Sequence, residues 1–174
     1  MSAASILAAA FADDPVCTEL FLVDREAATL EWFTVVERVF GNCPDAVVRV
    51  EPGAAAVWTR TDCPPCLAEL QEGLSDLLSA CNRADAAELL EAWAEAVAHQ
   101  TGPNLHWIGV HPDARGRGAG RRLLDEVAAD AGPAWATTCN PEAVPFYRAC
   151  GWTVLAERAV AGHPALTCWT LRAG

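Results

Sequence analysis

The sequence predicts an α/β or α+β fold around a central mixed sheet, and three observations carry that reading. From Leu105 onward the chain runs strand, helix, strand, helix, strand, strand. Two β-branched runs, Ala46 to Val50 and Ala54 to Thr59, flank the turn signal Glu51-Pro52-Gly53 and read as a hairpin. Apolar residues at helical spacing fill the stretches before and after that hairpin.

The elements follow in chain order. Ser2 to Phe11 is alanine-rich and predicted helical, and Asp13-Asp14-Pro15 interrupts it. Leu30, Phe33, Val36 and Phe40 mark a helix from Asp24 to Phe40, ended by the cap pair Gly41-Asn42. After the hairpin, Leu67, Leu70, Leu74, Leu77 and Leu78 mark one amphipathic helix, and Leu89, Leu90, Trp93 and Val97 mark another. Their acidic outer residues, such as Glu69, Glu72, Glu88 and Glu91, read as solvated faces. Leu105 to Val110 is a buried strand. A glycine-rich turn opens a helix from about Gly118 to Ala131, with Ala119, Leu123, Leu124, Val127 and Ala128 as its apolar stripe. Gly132-Pro133 stops it. Ala134 to Thr138 is a strand and Glu142 to Cys150 a short helix stopped by Gly151. Trp152 to Ala156 and Ala165 to Leu171 are strands joined through Gly162-His163-Pro164.

A length of 174 residues fits one domain, and an apolar fraction of 52% with seven tryptophans implies a packed core. The net charge of −11 makes the chain a poor general binder of nucleic acid or anionic membrane. It suits cationic substrates, or simply keeps the protein soluble. No stretch is long and apolar enough to span a membrane, and Met1 to Ala12 lacks the basic start of a signal peptide, so a cytoplasmic protein is expected. Cys63-Pro64-Pro65-Cys66 is a lone CxxC. No second pair of ligands follows it, so no metal site is expected, and the eight cysteines are expected to be free thiols.

The most informative segment is Val110-His111-Pro112-Asp113-Ala114-Arg115-Gly116-Arg117-Gly118-Ala119-Gly120, between a strand and a helix N-terminus. Unpaired N–H groups and a partial positive charge make such a terminus a phosphate site. Glycines let a ligand approach the backbone. Arg115, Arg117, Arg121 and Arg122 reverse the local sign of charge in an acidic chain. A Walker A loop is excluded because no Lys-Ser/Thr pair follows the glycines. A dinucleotide fingerprint fails at Arg121, where a third glycine belongs, and no acidic residue stands about twenty positions on.

Arg115 to Gly120 matches a Q/R-x-x-G-x-G/A loop, and Asn140-Pro141-Glu142-Ala143-Val144-Pro145-Phe146-Tyr147-Arg148-Ala149-Cys150-Gly151-Trp152 matches an N-x6-Y-x3-G-F segment, with Trp152 in place of Phe. In this order and spacing the two motifs resemble the Gcn5-related N-acetyltransferase (GNAT) family over about Leu105 to Trp152. The resemblance implies a mixed, mostly antiparallel twisted sheet flanked by helices, in a single domain over residues 1–174 whose motif-bearing core is about 104–156. It implies acetyl-CoA as the acyl donor and the primary amine of a small molecule or peptide as the acceptor. By resemblance, the backbone of Gly116, Arg117, Gly118, Ala119 and Gly120 holds the pyrophosphate, with Arg115 and Arg121 beside it. Ile108, Gly109 and Val110 line the pantetheine arm, Asn140 contacts the cofactor, and Tyr147 is the general acid for the leaving thiolate.

The chemistry fits these residues. Amine attack on a thioester builds an oxyanion that needs a preorganised N–H donor, available from the strand Ile108 to Val110. Tyr147 is the chain's only tyrosine, and a phenol is a suitable acid for a thiolate. Without the motif it reads equally as a core residue beside Phe146. Some relatives carry a glutamate base on this strand, where Asn104 stands here. His106, two residues on and on the same face, is a candidate base, with an ordinary sheet histidine as the other reading. The family's first strand is missing ahead of Ala8 to Pro15, which implies a shortened sheet edge or completion by a partner subunit in a homodimer. Two other classes remain open: a non-catalytic CoA-binding regulatory module, and a thiol redox or metal protein built on Cys63 and Cys66.

Overall fold

The computed structural model describes residues 1–61, 66–83, 85–98 and 100–174. Seven helices and six strands are found among them: α1 Ala3–Ala10, α2 Pro15–Leu20, α3 Arg25–Gly41, β1 Ala46–Glu51, β2 Ala54–Thr59, α4 Cys66–Ala80, α5 Ala86–Ala96, β3 Asn104–Val110, α6 Ala119–Ala131, β4 Trp135–Thr138, α7 Ala143–Ala149, β5 Thr153–Val160 and β6 His163–Arg172. The sheet runs β1-β2-β3-β4-β6-β5. Only β3 and β4 are parallel; every other neighbour pair is antiparallel. This is the mixed, mostly antiparallel sheet flanked by helices that the sequence predicts.

Local chemistry explains where the elements begin. Ser2 caps α1, and Glu37 of α3 takes the next two free N–H groups, from Ala3 at 3.3 Å and Ala4 at 2.8 Å. Asp13-Asp14-Pro15 does more than interrupt a helix. The Asp14 carboxylate accepts the Val16 N–H at 2.9 Å and Pro15 takes the first helical position, so the segment starts α2. Gly53, at φ +76°, makes the β1–β2 turn, and its O accepts the His111 N–H at 2.8 Å.

Helices cover both faces. β2 is buried along its whole length, with Ala55 and Val57 turned to α1, α3, α4 and α5, and Ala54, Ala56 and Trp58 turned to α6 and α7. The first face is rich in aromatic rings. Phe11 meets Phe33 at 5.2 Å, and Trp107 meets Trp32, Phe33 and Phe40 at 6.0, 6.2 and 5.5 Å. Trp58 is sealed on the second face, where its indole N–H donates to Asp130 at 2.8 Å.

Two features of β3 place the site. Val57 pairs with Trp107 and Trp58 with Leu105, so His106 is an extra residue, a bulge. His106 and Trp107 therefore both reach Phe40, at 4.9 and 5.5 Å. The second feature is a fork. β3 stays paired to β2 as far as Val110, but it meets β4 only at Asn104–Trp135 and Leu105–Ala136. Beyond those two pairs the strands part.

Candidate active site

The fork gives β3 an open edge. The His111 N–H bonds Gly53 O on the β2 side. Strand alternation then turns the N–H and C=O of Gly109 toward β2 as well, and those of Ile108 and Val110 toward the fork. Ile108 and Val110 thus present backbone groups to a ligand lying between β3 and β4. Gly109 serves otherwise. A Cβ there would stand 2.7 Å from Ala10 Cβ and 3.1 Å from Leu7 Cδ2, so its missing side chain admits α1.

At the end of β3, Pro112–Ala114 forms one tight turn, capped by His111 Nδ1 accepting the Asp113 N–H at 3.3 Å. Gly116 and Gly118 follow at φ +76° and +77°, a backbone other residues rarely adopt. Gly118 stands at the N-cap of α6 and brings no side chain to its free amides. Gly120 is packed: a Cβ would lie 3.0 Å from Phe146 Cζ and 3.4 Å from Val110 Cγ2. That contact brings the loop, the end of β3 and α7 together.

The four arginines divide. Arg122 is tied to Glu51 at 3.0 Å and to the carbonyl of Arg117 at 3.1 Å, which braces the loop. Arg121 donates to the carbonyl of Ala149 at the end of α7. It braces α6 against α7 through one of its five N–H donors. Arg115 and Arg117 are exposed and pair with no acidic side chain among the described residues. These two remain for an anion.

On the other lip of the fork, Asn140 follows β4. Its Oδ1 accepts the Glu142 N–H at 2.9 Å, which leaves the Nδ2 donors for a ligand. Tyr147 is buried on α7 with its ring against Phe146 at 5.6 Å and Trp152 at 5.3 Å. Burial pushes its phenol above the ordinary tyrosine range, so it stays protonated. The hydroxyl makes no hydrogen bond to a described residue, yet it is not a sealed polar atom, as Thr29 Oγ1 is.

His106 has a different setting from the one alternation suggests. Its ring lies against Phe40 and Trp107, and its Nε2 is 3.2 Å from Thr59 Oγ1. Thr59 Oγ1 donates to Thr61 O, so it accepts from an Nε2–H tautomer. Burial pulls the imidazole down to about 4. A group that weakly basic is a poor acceptor for an ammonium proton. His106 is a neutral packing residue of the bulge.

Cys63 lies outside the described residues. Cys66 opens α4 as a buried thiol, pushed up to about 12 by burial and by its contact with Cys43, and such a thiol is inert. All the described cysteines are free, and no group of three or more metal-ligating side chains exists among the described residues.

Sequence reasoning missed the bulge, the fork and the engagement of Arg121. Asp130, which holds both Trp58 and Arg60, was also missed; only an aspartate on the outer face of α6 stood in the sequence.

Known proteins similar to this chain are acetyltransferases. The model of an acetyltransferase (GNAT) domain matches residues 80–154, from the end of α4 to the start of β5. A mycothiol acetyltransferase from Nocardiopsis dassonvillei is 44% identical over 70 residues, 38% of this chain. The chain covers about a fifth of that relative, 21% of its length. A Corynebacterium glutamicum protein described as histone acetyltransferase HPA2 and related acetyltransferase superposes with TM-score 0.68 at 20% identity, over 98% of this chain and 87% of that one. An acetyltransferase of the GNAT family from Desulfovibrio desulfuricans gives TM-score 0.52 at 17% identity, over 97% and 90%. Residues 80–154, which carry the glycine loop and the α7 segment, match the GNAT acetyltransferase domain, and the forked sheet is similar in fold to acetyltransferases of known structure.

Proposed function

We propose that this protein is an acetyl-CoA-dependent N-acetyltransferase that acetylates a primary amine of a small molecule or peptide by direct attack on the thioester. The observation that carries the reading is the convergence of three things at one fork. The open β3 edge offers the backbone of Ile108 and Val110. The uncapped start of α6 stands beside Arg115 and Arg117. Tyr147 carries a protonated phenol with a free hydroxyl.

Acetyl-CoA supplies the activated acyl group as a thioester. The chain's own residues do the rest. Gly116, Gly118, Ala119 and Gly120 let backbone amides meet the pyrophosphate, and Arg115 and Arg117 add charge to it. Ile108 and Val110 align the extended arm as a strand partner would, and a β3 N–H stabilises the oxyanion. Asn140 Nδ2 fixes the donor from the β4 side. Tyr147 Oη donates a hydrogen bond to the departing sulfur. Its raised pKa keeps the phenol protonated, so the sulfur leaves as a thiolate held by this hydrogen bond and takes a proton from solvent, while the attacking nitrogen releases its proton to solvent. His106, neutral and engaged with Thr59, takes no part in proton transfer.

Thermal unfolding with acetyl-CoA tests the reading, with NADH and ATP as controls. At about one hundred times its Kd, a ligand stabilises by about 2.7 kcal/mol. For a domain of this size that is a Tm rise on the order of 5–10 °C. A rise with acetyl-CoA alone, followed by thiol release with added amine, supports the enzyme. A rise without thiol release indicates a CoA-binding regulatory module, and no rise removes the site.

A further inference from the structure

β4 ends at Thr138, and the next residue is Cys139. Thr138 pairs with Trp169 of β6, so the position across from Cys139 is Cys168. The Ala173 N–H bonds Ala134 O at 2.9 Å, which fixes the alternation of this ladder. Trp135–Arg172 and Thr137–Thr170 are then the non-hydrogen-bonded pairs, and Cys139–Cys168 continues that set. Partners of this kind hold their Cα atoms about 4.5 Å apart with their side chains on one face. A disulfide spans about 4.4–6.8 Å between Cα atoms, so the register suits one. Both side chains pack in the core on the side of α1, α3, α4 and α5. The Cys139 S–H donates to the Cys168 sulfur, which holds the Cys168 thiol below its ordinary value and Cys139 above its own.

The place of the pair in the sheet sets what closing it does. Cross-strand Cβ atoms lie about 4.5–5.5 Å apart and a disulfide brings them to about 3.5–4.5 Å, a closure of about 1 Å. In the middle of a sheet, strands on both sides resist such a shift. Here β3 and β4 pair only at Asn104–Trp135 and Leu105–Ala136, so no strand of the described residues holds Cys139 on its other side. Cys139 is therefore free to yield toward β6, which lies on the far side of β4 from β3. Asn140 is the next residue and moves with it. Cys139 is 5% exposed and Cys168 is sealed, so only a small oxidant reaches the pair.

We propose that Cys139 and Cys168 are an oxidation site that hydrogen peroxide closes to a disulfide, and that closure widens the fork and weakens its hold on the donor. The effect on the donor rests on the acetyltransferase reading; the bond itself does not. The Cys168 thiolate takes up one oxygen as the O–O bond breaks, giving a sulfenic acid and, with the proton it had released, water. The Cys139 sulfur then attacks the oxidised sulfur. The S–S bond forms, and the hydroxyl leaves as water with the Cys139 proton. Two thiols and one peroxide thus give one disulfide and two waters. In the test, the reduced full chain is treated with hydrogen peroxide, quenched with N-ethylmaleimide and digested without reductant. A linked pair of peptides carrying Cys139 and Cys168, separated again by dithiothreitol, is the expected result. By calorimetry the Kd for acetyl-CoA is about 3- to 10-fold higher in the oxidised protein, the worth of one hydrogen bond, and dithiothreitol restores it. Cys139→Ser and Cys168→Ala bind acetyl-CoA as reduced wild type does and no longer respond to peroxide; should either fail to fold, the wild-type peptide map decides alone. No such linked peptides, or a link between Cys43 and Cys66 in their place, overturns the site. A Cys139–Cys168 bond with an unchanged Kd overturns its effect on the fork. Reduced wild type that binds no acetyl-CoA removes the acetyltransferase reading instead, and the map still decides the bond.

Discussion

Replacing Gly109 with alanine tests how the fork is held open. The new Cβ stands 2.7 Å from Ala10 Cβ, 3.1 Å from Leu7 Cδ2 and 3.6 Å from Phe11 Cε2. Carbon atoms settle at about 3.5–4.0 Å, so the first contact overlaps by about 1 Å. Ala10 has no rotamer to change, and Leu7 is fully buried. The strain has two outlets: α1 lifts off the sheet, or β3 is pushed out of the sheet plane toward α6. Overpacking of this kind costs about 1–3 kcal/mol. At about 2–4 °C per kcal/mol for a chain of this length, the Tm falls by about 2–12 °C. If β3 moves, its open edge leaves the plane of β4 and the Kd for acetyl-CoA rises as well. Calorimetric titration and thermal unfolding measure both. Adding Ala10→Gly removes the clashing atom and restores most of the Tm, less about 0.5–1 kcal/mol for glycine near a helix end. A Gly109→Ala protein as stable as wild type, or no rescue by Ala10→Gly, would refute the packing argument.

Four further outcomes are expected. Tyr147→Phe lowers kcat by about 10²-fold with acetyl-CoA affinity intact, and unchanged turnover would remove the phenol from the reaction. Gly118→Val forces a β-branched residue to φ +77° and places side-chain atoms over the α6 amides; acetyl-CoA binding is lost by calorimetry while the circular dichroism of the fold is retained. His106 is held near 4 in the native protein and returns to about 6.5 on unfolding. The unfolded chain therefore binds more protons between those values, and stability falls as pH drops from about 6.5 toward 4. In His106→Phe that acid loss of Tm is smaller, and the neutral pH–rate profile matches wild type. Asp130→Asn weakens the bonds to the Trp58 indole and the Arg60 guanidinium. A loss of about 1–2 kcal/mol in urea unfolding is expected, and because Arg60 holds the Asp130 carboxyl below its ordinary range, wild type loses that advantage on acidification through the native value.

Local rules made the second half of the chain legible. Gly116, Gly118 and the run of arginines announce a phosphate loop by composition alone, and Gly132 and Gly151 mark the ends of α6 and α7. Where contacts are long-range, the sequence is silent. Arg121 looks like a ligand by proximity in the chain, but the carbonyl it bonds belongs to Ala149. The bulge at His106 depends on how Val57 and Trp58 pair across β2, which no alternation within β3 encodes. The α2 start was readable: an aspartate before proline is both a break and a cap, and Asp14 acts as the cap. β5 runs on to Val160, beyond Ala156, because Glu157 and Arg158 lie on an exposed sheet edge that has no apolar alternation to betray it.

Two residue pairs are all that stitch β1-β2-β3 to β4-β6-β5 through the sheet. A structure joined so narrowly behaves mechanically as two plates with a seam. An extended donor lying in the seam, as the proposed function has it, would take the place of the missing rungs, and the plates would stiffen only while it is held. Amide exchange along Ile108 to Val110 and at Thr138 would then slow on binding, although none of these residues changes its fold. Under the function proposed above, the enzyme would complete its own sheet with the substrate it consumes, and each turnover would reopen it.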